Sequence, residues 1–237
     1  GEGWLGYDID KAELWIMAAE ANETTMLDVL RSGRDIHTEN CMTVFGWQEL
    51  PADWQGKKDE RRTFAKTFTH RLDYLGNPAT CTDIPGAPEL GFVGSEGAQK
   101  LEAAARSYFT KYPGLKRYHE RMIAQYRQTW LARSWDGRRR ASCSRNETAI
   151  RELVNQPFQA GVSGLFNLTT VAIHARLAPM SGRFVYQAHD SAWWGVPLGE
   201  VSTAQRIIEE VFAEPRRING HDIVFKIDRK PTRYASA

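Results

Sequence analysis

Two interleaved registers between residues 62 and 74 restrict this chain's fold more than any other stretch. Arg62, Lys66, His70 and Tyr74 recur every fourth residue, and Phe64, Phe68 and Leu72 recur at the same interval about half a turn away. A spacing of four drifts only slowly around a helix of 3.6 residues per turn, so each set forms one continuous stripe. The segment therefore reads as a helix that buries its aromatic face and presents two cations, an imidazole and a phenol on the other. In that order the stripe suits a triphosphate followed by a base to stack on. The alternative is an amphipathic surface helix whose charges are simply solvated.

Two aspartates sit in strand-like settings. Trp4-Leu5-Gly6-Tyr7-Asp8-Ile9 reads as a short apolar strand ending in a carboxylate, followed by a helix from Lys11 to about Ala21. Residues Arg183 to Trp194 read as two strands meeting at a tight turn with Asp190 at its tip. Carboxylates at strand ends are a usual way to hold Mg2+, which takes one or two protein ligands plus substrate phosphates. A helix cap for Asp8 and a turn residue for Asp190 are the plainer roles. Asp10-x-x-Glu13 also has the form of a capping box.

A long apolar helix is expected from about Glu147 to Leu177, with Arg151, Asn155 and Gln159 one turn apart on one face. Amides there would meet the minor-groove acceptors that every correct base pair offers, or would be satisfied inside a core. Net charge is only +2, so bulk electrostatics do not make the chain a polyanion binder. Arg127, Arg133, Arg138, Arg139, Arg140, Arg145 and Arg151 nevertheless form a local basic run that would track a nucleic-acid backbone. With 237 residues and 42% hydrophobic content the chain can bury a sizeable core. Cys41, Cys81 and Cys143 have no metal-type spacing and point to free thiols in a reducing, cytoplasmic setting. No apolar run of membrane length, secretory signal or internal repeat is present. A Pro- and Gly-rich loop is expected from Gly76 to Gly97, then a helix from Ala98 to about Tyr126. After Val201 the expectation is a helix to Ala213, a turn at Asn219-Gly220, a strand from His221 to Ile227 and a loose basic end.

In order along the chain, these segments resemble the signature blocks of family A DNA polymerases. Asp8-Ile9-Asp10-Lys11-Ala12-Glu13-Leu14 is similar to the first palm motif, Arg62 to His70 with Tyr74 to the fingers motif, and Gln187-Ala188-His189-Asp190 to the final palm motif. Asp35-Ile36-His37-Thr38 with Val44-Phe45-Gly46, Tyr108 to Gly114, Gly137 to Arg140, and Asn155 to Gln159 resemble the connecting blocks.

The resemblance implies an α+β right-hand polymerase fold, with an antiparallel palm sheet, a helical fingers subdomain and no thumb in this chain. Residues 1–10 would be the first palm strand, 11–140 the fingers and 141–237 the palm. It implies template-directed transfer of dNTPs to a primer 3'-hydroxyl with pyrophosphate release, using two Mg2+ ions, or Mn2+, at Asp8 and Asp190. Arg62, Lys66 and His37 would hold the triphosphate, with Lys66 either protonating pyrophosphate or only clamping phosphate. His70 and Tyr74 would lie at the nucleotide, and Glu13 would crowd the sugar 2' position. Arg151, Asn155, Gln159, His189, Arg138 and Arg139 would contact primer-template DNA. A thumb and a proofreading exonuclease would come from the same longer chain or another chain.

The sequence departs from the family pattern at Ser191, where Glu usually follows the last Asp, and at His70, where Phe or Tyr is usual. Arg71 stands for a usual Gly and Trp15 for a usual Arg. A catalytically weak or inactive subunit that only binds primer-template is one alternative, supported by Ser191 and His70. A metal phosphohydrolase using His189-Asp190 is another, but it lacks the additional His and Asp ligands such chemistry gathers.

Overall fold

The structure, a computed structural model, describes residues 1–188 and 191–235; His189 and Asp190 lie outside the described residues. Along the chain run β1 (Glu2–Ile9), α1 (Ala12–Glu20), α2 (Thr24–Arg31), α3 (Ile36–Phe45), α4 (Glu60–Asp73), α5 (Gly94–Lys111) and α6 (Pro113–Thr129). The short strands β2 (Leu131–Arg133) and β3 (Arg139–Ala141) precede α7 (Glu147–Leu177). Then follow β4 (Arg183–Ala188), β5 (Ser191–Pro197), α8 (Val201–Ala213), β6 (Arg216–Ile218), β7 (His221–Ile223), β8 (Ile227–Arg229) and β9 (Arg233–Ala235). The chain divides into two compact units, one of residues 1–20, 133–140 and 156–237, the other of 21–132 and 141–155.

The first unit is built on an antiparallel sheet in the order β4-β5-β1-β8, with β9 also paired to β1. Alternation along β1 decides its two faces. Leu5, Tyr7 and Ile9 are buried; Tyr7 packs at 6.1 Å from Phe212 of α8, and Trp194 of β5 lies 6.5 Å from the same ring. Ala204, Ile208, Val211 and Phe212 supply the matching apolar stripe of α8. The other face carries Gly6 and Asp8. Gly6 faces Trp193 in register, and a Cβ at residue 6 would lie 2.5 Å from the indole. Gly6→Ala is expected to destabilise the protein by about 3 kcal/mol through overpacking, measured as a fall in the denaturant midpoint at unchanged slope.

In the second unit, α4 carries the double register as expected. Asp59 caps it by accepting from the Arg61 N–H at 3.0 Å, and Phe64, Phe68 and Leu72 are buried. Phe64 stacks 4.8 Å from Phe92. Glu23, itself buried, accepts from the N–H groups of Thr25 and Gly114 at 3.0 and 2.5 Å, tying the starts of α2 and α6 together.

Four local expectations are corrected. The helix expected from Ala98 to Tyr126 is two helices, because Pro113 has no N–H to donate and drives Tyr112 to φ −121°, ψ 66°. The loop from Gly76 to Gly97 contains a 3-10 segment, Pro78–Asp83, and gives way to α5 at Gly94. Asp10 is not a helix cap: its N–H donates to Lys226 O at 2.8 Å, and the first bond of α1 goes to Lys11 O. The strand expected from His221 to Ile227 is split into β7 and β8, and the basic end is not loose, since β8 and β9 pair with β1. The helices α7 and α8 and the turn at Asn219-Gly220, with φ of 44° and 87°, match their expected positions.

Candidate active site

Asp8 lies near the end of β1 with a partner on each side. Ser191 faces it from β5 and Asp228 from β8, so all three side chains share one face of the sheet. Asp190 is the residue immediately before Ser191 in sequence. Lys230, two residues beyond Asp228, places its ammonium on the Asp8 carboxylate. Arg229 points to the opposite face and pairs with Glu209 at 3.6 Å. The Asp8 side chain is 21% exposed. Further along the same face, Tyr186 stacks on Trp193 at 6.0 Å and Arg233 covers that indole at 4.7 Å. Glu13 is half-buried in the first turn of α1.

The second unit brings several of the expected nucleotide residues together. Arg62 donates from Nε and Nη2 to both oxygens of Asp35, at 2.8 and 3.0 Å. Asp35 also caps α3, accepting from the His37 N–H at 3.2 Å and the Thr38 hydroxyl at 2.8 Å. One carboxylate thus fixes Arg62 and the turn that carries His37. Burial pushes the Asp35 carboxyl up, but the Arg62 guanidinium, the Thr38 hydroxyl and the His37 N–H outweigh it and bring it down to about 2. Lys66 and His70 are exposed on the same helix. His70 meets Tyr74 edge to face, with ring centroids 4.7 Å apart.

Behind Tyr74 lies a buried polar network. Tyr108 donates to the Asp73 carboxylate at 2.7 Å, and His119 Nε2 lies 2.9 Å from the Asp73 carbonyl. Burial raises the Tyr108 phenol and lowers the His119 imidazole from their ordinary values.

Of the expected DNA contacts, Arg151 and Gln159 are exposed on α7, whereas Asn155 is half-buried and donates from Nδ2 to Tyr74 O at 3.4 Å. Its Oδ1 has no partner among the described residues. Arg138 pairs with Asp136 at 3.0 Å and donates to the Ser163 hydroxyl at 3.0 Å, while Arg139 is exposed. Within the basic run Arg127 pairs with Glu147 and Arg145 covers Trp130, so part of that charge is already committed.

Asp35 and Tyr108 enter the sequence reading only as members of connecting blocks, and Asp228, Lys230, Asp73 and His119 do not enter it at all. Asp35 had a usable signal, since Asp-x-x-Thr before an apolar run is a helix start. Lys230 and Asp228 had none, because only strand pairing brings them to Asp8.

The first unit thus sets carboxylate and hydroxyl oxygens on one face of an antiparallel sheet, donors of the kind that suit a hard divalent cation, and the second carries a cationic stripe on α4, of the kind that suits phosphate. The comparisons give the family: the profile of DNA polymerase family A matches residues 1–228, and the chain belongs to that family. It is 28% identical over 219 residues to the thermostable DNA polymerase I of Thermus filiformis, covering 89% of this chain and 25% of that protein. It is 26% identical over 225 residues to DNA polymerase I of Chloroflexus aurantiacus, covering 91% of this chain and 22% of that protein. The chain thus spans about a quarter of these relatives' length. Its fold matches the POL domain of Pol1 from M. smegmatis, solved with DNA primer-template and dNTP. The TM-score is 0.77 at 19% identity, over 96% of this chain and 39% of that one. The α+β fold of a polymerase domain, expected from the sequence, is therefore the fold observed. Among the described residues no helix is long and apolar enough to cross a membrane. Cys41, Cys81 and Cys143 are free thiols.

Proposed function

We propose that this chain carries the nucleotidyl-transfer site of a DNA polymerase that adds dNTPs to a primer 3'-hydroxyl on a template and releases pyrophosphate. The observation that carries the reading is the register of Asp8 against Ser191, which pairs the strand of the first palm motif with the strand that follows Asp190. In this reading the first unit is the palm and the second carries the fingers.

The donors suit a hard divalent cation. They are carboxylate and hydroxyl oxygens, and Asp8 already takes the Lys230 ammonium as a stand-in cation. Asp8 and Asp190 would hold two Mg2+ ions, or Mn2+, which when bound activate the primer hydroxyl and neutralise the departing pyrophosphate. Arg62, Lys66 and His37 bind the triphosphate, Arg62 with its fork pre-set by Asp35. Tyr74 and His70 face the incoming nucleotide, and Glu13 crowds the sugar 2' position. Arg151, Asn155, Gln159, His189, Arg138 and Arg139 would contact the primer-template, with Asn155 held through its Nδ2 donation to Tyr74 O. A thumb and any exonuclease belong to other parts of the same protein or to a partner.

The test is Mg2+-dependent primer extension by the native full-length protein beside Asp190→Asn. Template-directed extension that the substitution abolishes is the expected result. Primer-template binding without extension in either Mg2+ or Mn2+ would replace this reading with that of an inactive subunit, which Ser191 beside Asp8 favours.

A further inference from the structure

We infer that Lys230 is a tethered counter-cation of Asp8 that competes with divalent metal for this carboxylate; the inference rests on the metal-ligand reading of Asp8. Three features support it. The Lys230 ammonium is on Asp8 Oδ2, where a cation bound by this carboxylate would also sit. Its backbone is pinned by strand pairing, with the Lys230 N–H donating to Gly6 O at 2.8 Å, so the side chain starts from a fixed point two residues from Asp8's register partner. The pair is half-open to solvent, with side chains 21% and 40% exposed, so the ammonium has room to swing away while remaining within its own length of Asp8.

The groups that face Asp8 from the neighbouring strands do not remove the competition. From β5 comes the neutral Ser191, and from β8 the exposed Asp228. Asp10, just past the end of β1, pairs with Lys11. A divalent ion at Asp8 must displace the ammonium and then bear its residual repulsion. For a single and a double positive charge at side-chain range in partly solvated surroundings, that weakens metal binding by about three- to tenfold. Lys230 is therefore a positioning residue that sets the metal concentration at which the site fills.

Direct Mn2+ binding to the native full-length protein, without DNA or nucleotide, measured by loss of the free-ion electron paramagnetic resonance signal, tests this. Asp8→Asn is expected to remove the binding, Lys230→Met and Lys230→Gln to tighten it by about three- to tenfold, and Lys230→Arg to leave it as in the native protein. Circular dichroism melting separates misfolding from a change in affinity, and the half-open position of the side chain makes at least one neutral variant accessible. If Asp8→Asn removes binding but neither neutral variant tightens it, Lys230 does not compete, and the polymerase reading stands. Should Asp8→Asn leave Mn2+ binding intact, the metal-ligand reading of Asp8 and the role of Lys230 fall together.

Discussion

Asp8→Asn in the native protein is expected to cut Mg2+-dependent primer extension by about three orders of magnitude, the scale of the several kcal/mol a metal site contributes. The substitution keeps the size of the side chain and removes one negative charge from a hard-oxygen donor. Stability changes little, because the pair with Lys230 is partly solvated, at 21% and 40% exposure, and such pairs contribute about 1 kcal/mol or less. Primer-template affinity is expected to stay near that of the unsubstituted protein, because no DNA contact is assigned to Asp8. Single-turnover extension beside a binding titration separates the two. Extension surviving at near-native rate would show that Asp8 is not a metal ligand.

What the sequence makes legible here follows from the range of the interactions. The double stripe on α4 and the 31 residues of α7 are set by local periodicity, and both elements lie where that periodicity places them. Breaks within apolar periodicity are harder to read. Pro113 splits α5 from α6 although buried residues continue on both sides of it. Strands of three residues such as β8 and β9 have no period of their own and exist because β1 offers an edge. The charges that come with them, Lys230 and Asp228, are therefore invisible as neighbours of Asp8 until the sheet is assembled. The same holds for Asp73, whose place beside Tyr108 and His119 depends on contacts 35 and 46 residues away.

Asp35→Ala tests the clearest case of a residue whose importance is tertiary. The carboxylate caps α3 and grips both sides of the Arg62 fork, and the Arg62 side chain is only 11% exposed. Losing the cap costs about 1 kcal/mol. Leaving a mostly buried guanidinium short of its partner raises the total to about 3 kcal/mol, after discounting for the 30% exposure of Asp35. A double-mutant cycle with Arg62→Ala assigns the shared part, expected at about 1–2 kcal/mol. The pH dependence has a definite sign. With its folded-state pKa brought to about 2, below the ordinary 3.8, Asp35 contributes stability that is fully present above about pH 4. That contribution falls as pH drops toward 2, and Asp35→Ala is expected to flatten the acid limb of the stability curve over this window. For the proposed chemistry the consequence is specific to the nucleotide: an unanchored Arg62 must be ordered by the triphosphate itself, so the dNTP KM rises by about tenfold while primer-template affinity is unchanged. A stability loss with unaltered dNTP KM would make Asp35 purely a fold element and would remove Arg62 from the triphosphate site.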